Sequence, residues 1–512
     1  MPGDATTIPL QDTSLPGARR WPWRGRTGAW RDASTRTKVG AIAMAAMVAL
    51  SLLVVVMAAD RPSWLASTTH ADYFPRWMAG PLGGLLPSMT SSGTTLKYWV
   101  TGSIVLMYLS YLVLLRCTPE LPVRWVLGAI LVVHVIFVLS PPLTLTDVFN
   151  YINYGRMEVV HNLNPYTTIP ILEPHNDPSY GLSNWHELRS PYGPLFTMLT
   201  FVVVPLGVAG SFWALKLLLA AASLGTIALV WKCARLLGRD PLAAVVLVGL
   251  NPIVLVWGLG GDHNDALMIL CIMLGFYLLL RARPGREDRA EHRPTGMLGW
   301  LLPLVPLEMG AGAAFVLAAA IKASGGVLIP VVLVSLLRAP RALIQVVLGM
   351  VAAGVVVGAV SLLAFGLHIP DLSTQSHVVS NESVPNLIGL AIGQGGETNG
   401  LRTVMTVALA IVMLLCCRLA WRRRDAITAS GWASVALVFT LSWVLPWYVM
   451  WALPLAALSS SRRLRAAVLV AGAYLIVAWA PASSLLWSAI GFHPEDTPVG
   501  RLHQRYIKEL LN

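Results

Sequence analysis

The chain has 512 residues, 56% of them hydrophobic and 12% charged, with a net charge of +12 and a mean hydropathy of +0.66. Apolar runs of roughly 17–25 residues recur along it, long enough to span a bilayer as helices, and they lack the alternation of barrel strands. The positive charge sits in short clusters between these runs and no nucleic-acid motif accompanies it, so composition excludes a nucleic-acid binder and predicts an all-α polytopic membrane protein.

Residues 1–38 are rich in Pro, Thr, Gly and Arg without an apolar period, and read as a disordered cytoplasmic tail. The run 39–59 is too long for a signal-peptide core and predicts an uncleaved first span. Further spans are expected near 99–115, 123–141, 211–233, 241–260, 264–281, 297–321, 325–338, 342–366, 401–420, 429–446, 447–460 and 465–489. That makes about 13 spans in a transmembrane unit over 39–490, with an outer tail at 491–512. The run 325–338 and those on either side of Pro446 are short enough to be tilted, broken or re-entrant.

With this layout most of the 37 Lys and Arg fall on one side. The positive-inside rule then places the N-terminus in the cytoplasm and the C-terminus outside a plasma membrane. Residues 194–208 are read as an amphipathic or partly embedded helix at the outer surface, because a span there would carry Arg235 and Arg239 outside. The outer face is left with two large loops, 142–210 and 366–400, and the short polar turn 260–265. The five cysteines lie at cytoplasmic helix ends or within a span, so no disulfide is expected. Adjacent Cys416 and Cys417 suggest lipid-facing packing.

Asp147 opens the first large outer loop, and an ionisable residue at the membrane face of so apolar a chain is a functional candidate. If residues 147–158 are helical, Asp147, Asn150, Tyr151, Tyr154 and Glu158 share one face. Carboxylate, amide and phenols suit sugar hydroxyls and the apolar side of a sugar ring, with Asp147 as a general base. Capping of that helix, after Thr146, is the structural alternative for Asp147.

Asn164-Pro-Tyr166 and Ser190-Pro-Tyr192-Gly-Pro are turn chemistries that fix their tyrosines at the membrane surface. Arg189, in a cation-poor loop, suggests an anionic partner, with a salt bridge to Glu187 or Glu158 as the alternative. In the turn 260–265, one of Asp262 and Asn264 suffices to cap the next helix, which leaves His263 and Asp265 in excess of that need. Two carboxylates and a histidine do not make a specific metal signature, so no cofactor is expected and a divalent metal is not indicated.

Lys322 stands beside a Ser-Gly-Gly turn, placed either to snorkel or to clamp a phosphate, and Lys216 is a second candidate clamp. His368, His377 and Glu382 lie in the second loop and are available to the site. Trp443, Trp447, Tyr448 and Trp451 read as an interface girdle, with Trp447 and Tyr448 also placed by Pro446 to line a pocket.

Taken together, Ser-Pro-Pro-Leu-x-x-x-Asp147-Val-x-x-Tyr151-x-x-Tyr154-Gly-Arg156, Leu163-Asn-Pro-Tyr166, Ser190-Pro-Tyr-Gly-Pro194, Asn251-Pro with Gly-Gly-x-His263-Asn-Asp265, Ala-x-x-Lys322 and Pro446-Trp-Tyr448 carry a family likeness. The chain resembles the GT-C glycosyltransferases, specifically the actinobacterial polyprenyl-phosphomannose-dependent α-1,6-mannosyltransferases of the lipomannan core, over roughly residues 120–460. The resemblance implies a GT-C-type fold, a lipid-linked mannose donor at the outer face, a mannan or lipoglycan acceptor, and an acidic base in the first large outer loop, where Asp147 stands. Asn150 occupies the i+3 position at which the family pattern has a second acid.

The residues fit that chemistry. A polyprenyl phosphate is a good leaving group, Asp147 would take the acceptor proton, and Lys322, Arg189 and Arg156 are candidates to steady the phosphate. Displacement from a β-linked donor would give the α product with inversion. No nucleotide-binding loop is visible, as expected for a lipid donor. Another polyprenyl-linked sugar (arabinofuranose or glucose), or a polyprenyl-lipid transporter or flippase, are the alternative readings.

Overall fold

The computed structural model describes residues 34–61, 65, 75–85, 92–143, 147–282 and 306–511. The tail expected over 1–38, residues 297–305 of one expected span, and Thr146 lie wholly or mostly outside them. Every regular element among the described residues is helical. In chain order these are α1 (Thr35–Asp60), α2 (Gly93–Cys117), α3 (Val123–Val138), α4 (Asp147–His161), α5 (Pro194–Val203) and α6 (Gly207–Leu236). Next come α7 (Pro241–Gly249), α8 (Asp265–Ala282), α9 (Leu307–Ile321), α10 (Ile329–Leu336), α11 (Pro340–Phe365) and α12 (Val384–Ala391). The last are α13 (Asn399–Arg423), α14 (Ala426–Thr440), α15 (Leu453–Leu458), α16 (Arg462–Trp479), α17 (Ser483–Ala489) and α18 (Pro498–Leu511).

Six of the described helices are long and apolar enough to cross a membrane, or seven if the bent pair α16–α17 counts as one span. The chain is therefore a multi-pass, all-α membrane protein. That measure counts only described helices of 18 residues or more, and several of the expected thirteen spans are shorter or broken. Residues 241–260 divide at Asn251-Pro252 into α7 and a π-helical turn, Val254–Leu259. Residues 465–489 bend by 77° between α16 and α17, at Pro481. Proline removes a helix donor and clashes with the preceding turn, and window hydropathy is blind to both effects.

Residues 194–236 run as one helical stretch in hydropathy terms. At 1.5 Å per residue that is roughly 65 Å, about twice the hydrocarbon core, so it is too long for one straight span. Gly207, at φ 72°, separates α5 from α6.

α9 and α11 cross through small residues. α9 sits against both α8 and α11. A Cβ on Gly312 would stand 1.9 Å from the Val346 carbonyl oxygen, and one on Gly349 would stand 1.8 Å from that of Met309. Small residues that admit such backbone approach are the usual adhesive between helices in lipid, where no hydrophobic drive joins them. The outward faces of α11 and α13 are apolar: only 11% of their spanning windows is buried. Val351, Val355 and Leu363 of α11 are exposed, a surface suited to acyl chains. Cys416, expected on that lipid face, is instead buried against the core.

Helix directions separate the charges. Arg36 of α1 pairs with Glu120 just past the C-terminus of α2, and Arg239, at the α6–α7 turn, lies within electrostatic reach of Arg465 of α16. Arg281 and Arg422 also sit at C-terminal turns. The opposite end is formed by the C-termini of α3, α9 and α16 and the N-termini of α2 and α8. Here the chain departs from helical regularity and polar side chains gather.

Residues 491–512, expected as an outer tail, mostly fold into α18, which docks on the bundle. The Glu187 amide donates to the Leu510 carbonyl (3.2 Å), and the Tyr506 hydroxyl donates to that of Thr374 (3.1 Å). α18 thus ties the first large loop to the second.

Candidate active site

α4 presents Asp147 in its first turn and buries Phe149, Tyr151, Ile152 and Tyr154 against the bundle. Asp147 Oδ2 stands 3.2 Å from Nδ1 of His263, whose ring is 1% exposed and stacks on Trp447 with centroids 3.4 Å apart. The contact is close without hydrogen-bond geometry, since neither ring nitrogen of His263 has a hydrogen-bond partner among the described residues. Tyr151 reaches the same turn, its hydroxyl accepting from the Asn264 amide (3.3 Å) and its ring meeting Tyr192 edge-on at 4.7 Å. Asn264 is fully buried.

Each acid of the turn 260–265 is held by a lysine. Lys216 of α6 donates to both oxygens of Asp262 at 3.0 Å, and each partner's side chain is 1% exposed. Lys322, at the end of α9, donates to Asp265 Oδ2 at 2.7 Å, while Trp451 Nε1 donates to Oδ1 at 2.5 Å. The Lys322 ammonium also faces the rings of Tyr448 (5.2 Å) and Trp451 (5.9 Å). Carboxylate and aromatic faces together hold a cation that keeps one side, 20% exposed, toward open space.

That space is a small cavity of about 90 Å³ lined by Asp147, Tyr154, Tyr192, Lys322, Trp447 and Tyr448, among others. Among the described residues Asp147 is the one acid in its wall. Trp443 and Trp447 separate it from a larger cavity of about 680 Å³.

The loop that carries Tyr192 is pressed onto α9 beside Lys322. The Gly193 amide donates to the Ile321 carbonyl (3.1 Å), and a Cβ at Gly193 would lie 2.1 Å from the Ala320 carbonyl oxygen. Replacing Gly193 by alanine therefore forces loop and helix apart. We expect Gly193→Ala to lower stability by about 1–3 kcal/mol, as overpacking does, and to cut activity by more than that stability loss accounts for. Thermal melts in detergent with parallel activity assays check this, and a variant with unchanged melting and activity refutes it.

Several expected site residues are occupied elsewhere. Arg156 forks both Asp177 oxygens (2.9–3.1 Å), and His161 reaches the same carboxylate at 2.7 Å, so its guanidinium is not free for phosphate. Burial would raise the Asp177 pKa, but the bonds from Arg156, Ser179 and His161 hold it far below the usual carboxylate range. Asn164 bonds the Phe365 carbonyl and its own turn, and the Tyr166 hydroxyl donates to the Tyr192 carbonyl (2.8 Å), so both serve the loop's shape. Arg189 is exposed within electrostatic reach of Asp371. His377 meets the Ser373 carbonyl and lies beside Tyr506 of α18, outside the small cavity. The i+3 member of the expected polar face, Asn150, accepts from the amide of Asn184 and donates to its side chain. A helical face is shared by backbone-facing and cavity-facing groups, which spacing alone does not sort.

Glu173 was not singled out by its sequence context. It is 3% exposed and neither carboxylate oxygen has a hydrogen bond among the described residues. Burial pushes its pKa up from 4.5 to about 8, against smaller lowering by Asn153 and Arg156. The folded state thus keeps a proton that the unfolded chain loses from about pH 4.5 upward. The stability this confers is full below pH 4.5 and is lost as pH rises toward 8. Glu173→Gln should leave melting unchanged near pH 4.5 and raise it at pH 8. Equal shifts at both pH values contradict that assignment.

Trp451, treated in sequence as girdle only, turns out to hold Asp265, and Leu510 of α18 lines the small cavity. The helical spacing of Gly500, His503, Ile507 and Leu510 was the available signal for α18.

Comparison with known proteins agrees with the motif reading. Residues 38–338 match the family described as alpha-(1->6)-mannopyranosyltransferase, N-terminal domain, and residues 383–492 match the MptB C-terminal domain. Alpha-(1->6)-mannopyranosyltransferase A of Mycobacterium tuberculosis is 28% identical over 380 residues, 68% of this chain and 67% of that protein. A probable alpha-(1->6)-mannopyranosyltransferase of Mycolicibacterium smegmatis is 27% identical, covering 65% of this chain and 64% of its own length. Alpha-(1->6)-mannopyranosyltransferase B of Corynebacterium glutamicum is 25% identical, covering 62% and 56%. The chain thus spans about two thirds or less of these relatives. No solved structure matches it. With more than half its length matched by the N-terminal domain, and most of the remainder by the C-terminal one, the chain belongs to the alpha-(1->6)-mannopyranosyltransferase family.

Proposed function

We propose that the protein transfers mannose from a polyprenyl-phosphate-mannose donor to a growing α-1,6-mannan or lipomannan acceptor at the outer face of the plasma membrane, with inversion. The observation that carries this reading is the pairing of Asp147 with Lys322 in the wall of one small aromatic cavity. Displacement needs a base for the acceptor hydroxyl and positive charge for the departing phosphate. The cavity offers one of each.

In the reaction, an acceptor oxygen bonds to the anomeric carbon while its proton passes to an Asp147 oxygen. The bond from that carbon to the phosphate oxygen breaks, and its electron pair leaves with the polyprenyl phosphate beside Lys322. Tyr192, Trp447 and Tyr448 would flank the sugar. His263 and Tyr151 would act by positioning, the first beside Asp147 and the second on the turn that carries His263. Asp262 is compensated by Lys216, whereas Lys322 is held by Asp265 on one side only, so the donor for the phosphate is the open side of its ammonium and no cofactor is invoked. The Arg-rich helix ends lie away from this cavity, which supports a cytoplasmic N-terminus and an outward site.

Purified protein given labelled polyprenyl-phosphate-mannose and a short α-1,6-mannoside should yield a product one mannose longer with a new α-1,6 linkage. Transfer only from an arabinofuranosyl or glucosyl donor would replace the sugar assignment. Movement of the donor lipid across vesicles without transfer would replace the enzyme by a transporter.

A further inference from the structure

We propose that the larger cavity, closed by the C-terminal helix α18, binds the neutral sugar chain of the acceptor, so that α18 sets which acceptors are used. This rests on the transferase reading above. At about 680 Å³ the cavity is of the size of ordinary small-molecule sites, whereas the reaction cavity next to it, at about 90 Å³, is too small for more than the reacting groups. The two share Trp443 and Trp447. A sugar chain lying in the larger cavity therefore brings its end to the wall behind which Asp147 stands.

The lining is that of a carbohydrate site. Trp443 and Trp479 offer partly exposed aromatic rings, with Trp257 and Trp447 buried in the same wall, and Asn381, Glu382, Gln504 and Lys508 offer hydrogen-bonding groups. Trp447 is 1% exposed and its indole N–H has no partner among the described residues, and the indole N–H of Trp479 is likewise buried and unpartnered. The isoprenoid tail of the donor would leave Asn381, Glu382, Gln504 and Lys508 facing hydrocarbon, which costs free energy that a sugar chain's hydroxyls avoid.

α18 contributes His503, Gln504, Ile507 and Lys508 to this cavity and Leu510 to the small one. It lies beyond residues 38–338 and 383–492, the segments matched to the two family domains. The catalytic groups thus belong to the shared part of the chain, and one wall of the acceptor cavity belongs to a segment outside it.

The test uses the full-length protein with α-1,6-linked di-, tri- and tetramannosides, following transfer kinetics and, by calorimetry, tetramannoside binding. In the wild type, KM for the acceptor should fall as the chain lengthens. Trp479→Ala and Gln504→Ala should each raise KM for the tetramannoside roughly tenfold while leaving kcat and the donor KM unchanged, and Trp479→Phe should restore most of the loss. Gln504 sits on the helix surface, so its variant remains informative if Trp479→Ala fails to fold. Transfer with an unchanged acceptor KM in both variants overturns this proposal alone, as does a shift confined to the donor KM. Tetramannoside binding that weakens in the variants, without any transfer, overturns the transferase reading and leaves the sugar site standing. Neither binding nor transfer overturns both.

Discussion

Asp147→Asn should lower kcat for sugar transfer by about 10²–10⁴-fold, the usual contribution of a general base, with donor affinity unchanged. The substitution keeps size and hydrogen-bonding shape and removes only basicity. Among the described residues Asp147 is the only acid lining the small cavity. The two other acids close by are committed, Asp262 to Lys216 and Asp265 to Lys322 and Trp451, so neither is free to take over the proton. Single-turnover transfer with labelled donor, paired with a donor-binding titration, separates the effects. Loss of transfer at unchanged donor affinity supports the base assignment. Full activity in Asp147→Asn would return Asp147 to a structural role at the start of α4.

The sequence made the components of this site legible but not their pairings. Asp147, His263, Asp265, Lys322, Trp447 and Tyr448 stand out because each is a polar or amphipathic residue set against an apolar background. Which of them touch depends on contacts across 46 residues for Lys216–Asp262, 57 for Lys322–Asp265 and 186 for Trp451–Asp265, distances no local pattern encodes. Arg156 misled for the same reason: its partner Asp177 lies 21 residues on, in a loop without periodicity. A helix over 147–158 was readable from spacing, since one periodic face suffices for it, and the structure extends it to His161. The breaks at Asn251-Pro252 and Pro481 were not legible in hydropathy, which measures transfer to lipid and not the continuity of backbone hydrogen bonds.

Lys216→Met should destabilise the protein by about 3–5 kcal/mol, the cost of stranding a buried charge whose partner is removed. Both side chains are 1% exposed and the ammonium reaches both Asp262 oxygens at 3.0 Å. The stranded carboxylate would have no water to turn to. The consequence reaches the site, because Asp262 adopts a left-handed backbone (φ 57°) and immediately precedes His263, which stands against Asp147. A non-glycine residue holds that conformation only when its surroundings over-determine it, and the Lys216 bonds are the strongest such restraint among the contacts of Asp262. Lys216→Met should therefore lose activity as well as stability. The double variant Lys216→Met with Asp262→Asn removes the uncompensated charge and should recover most of the melting temperature, since a buried pair replaced as a unit is often near neutral. Activity should recover less than stability, because the amide lacks the ionic anchor that fixes the turn. Melting and transfer rates measured on both variants decide the matter. A single variant within about 0.5 kcal/mol of wild type would show that the pair carries neither the fold nor the turn. Equal recovery of activity and stability in the double variant would show that the turn needs only charge balance, and that Lys216 has no positional role toward His263.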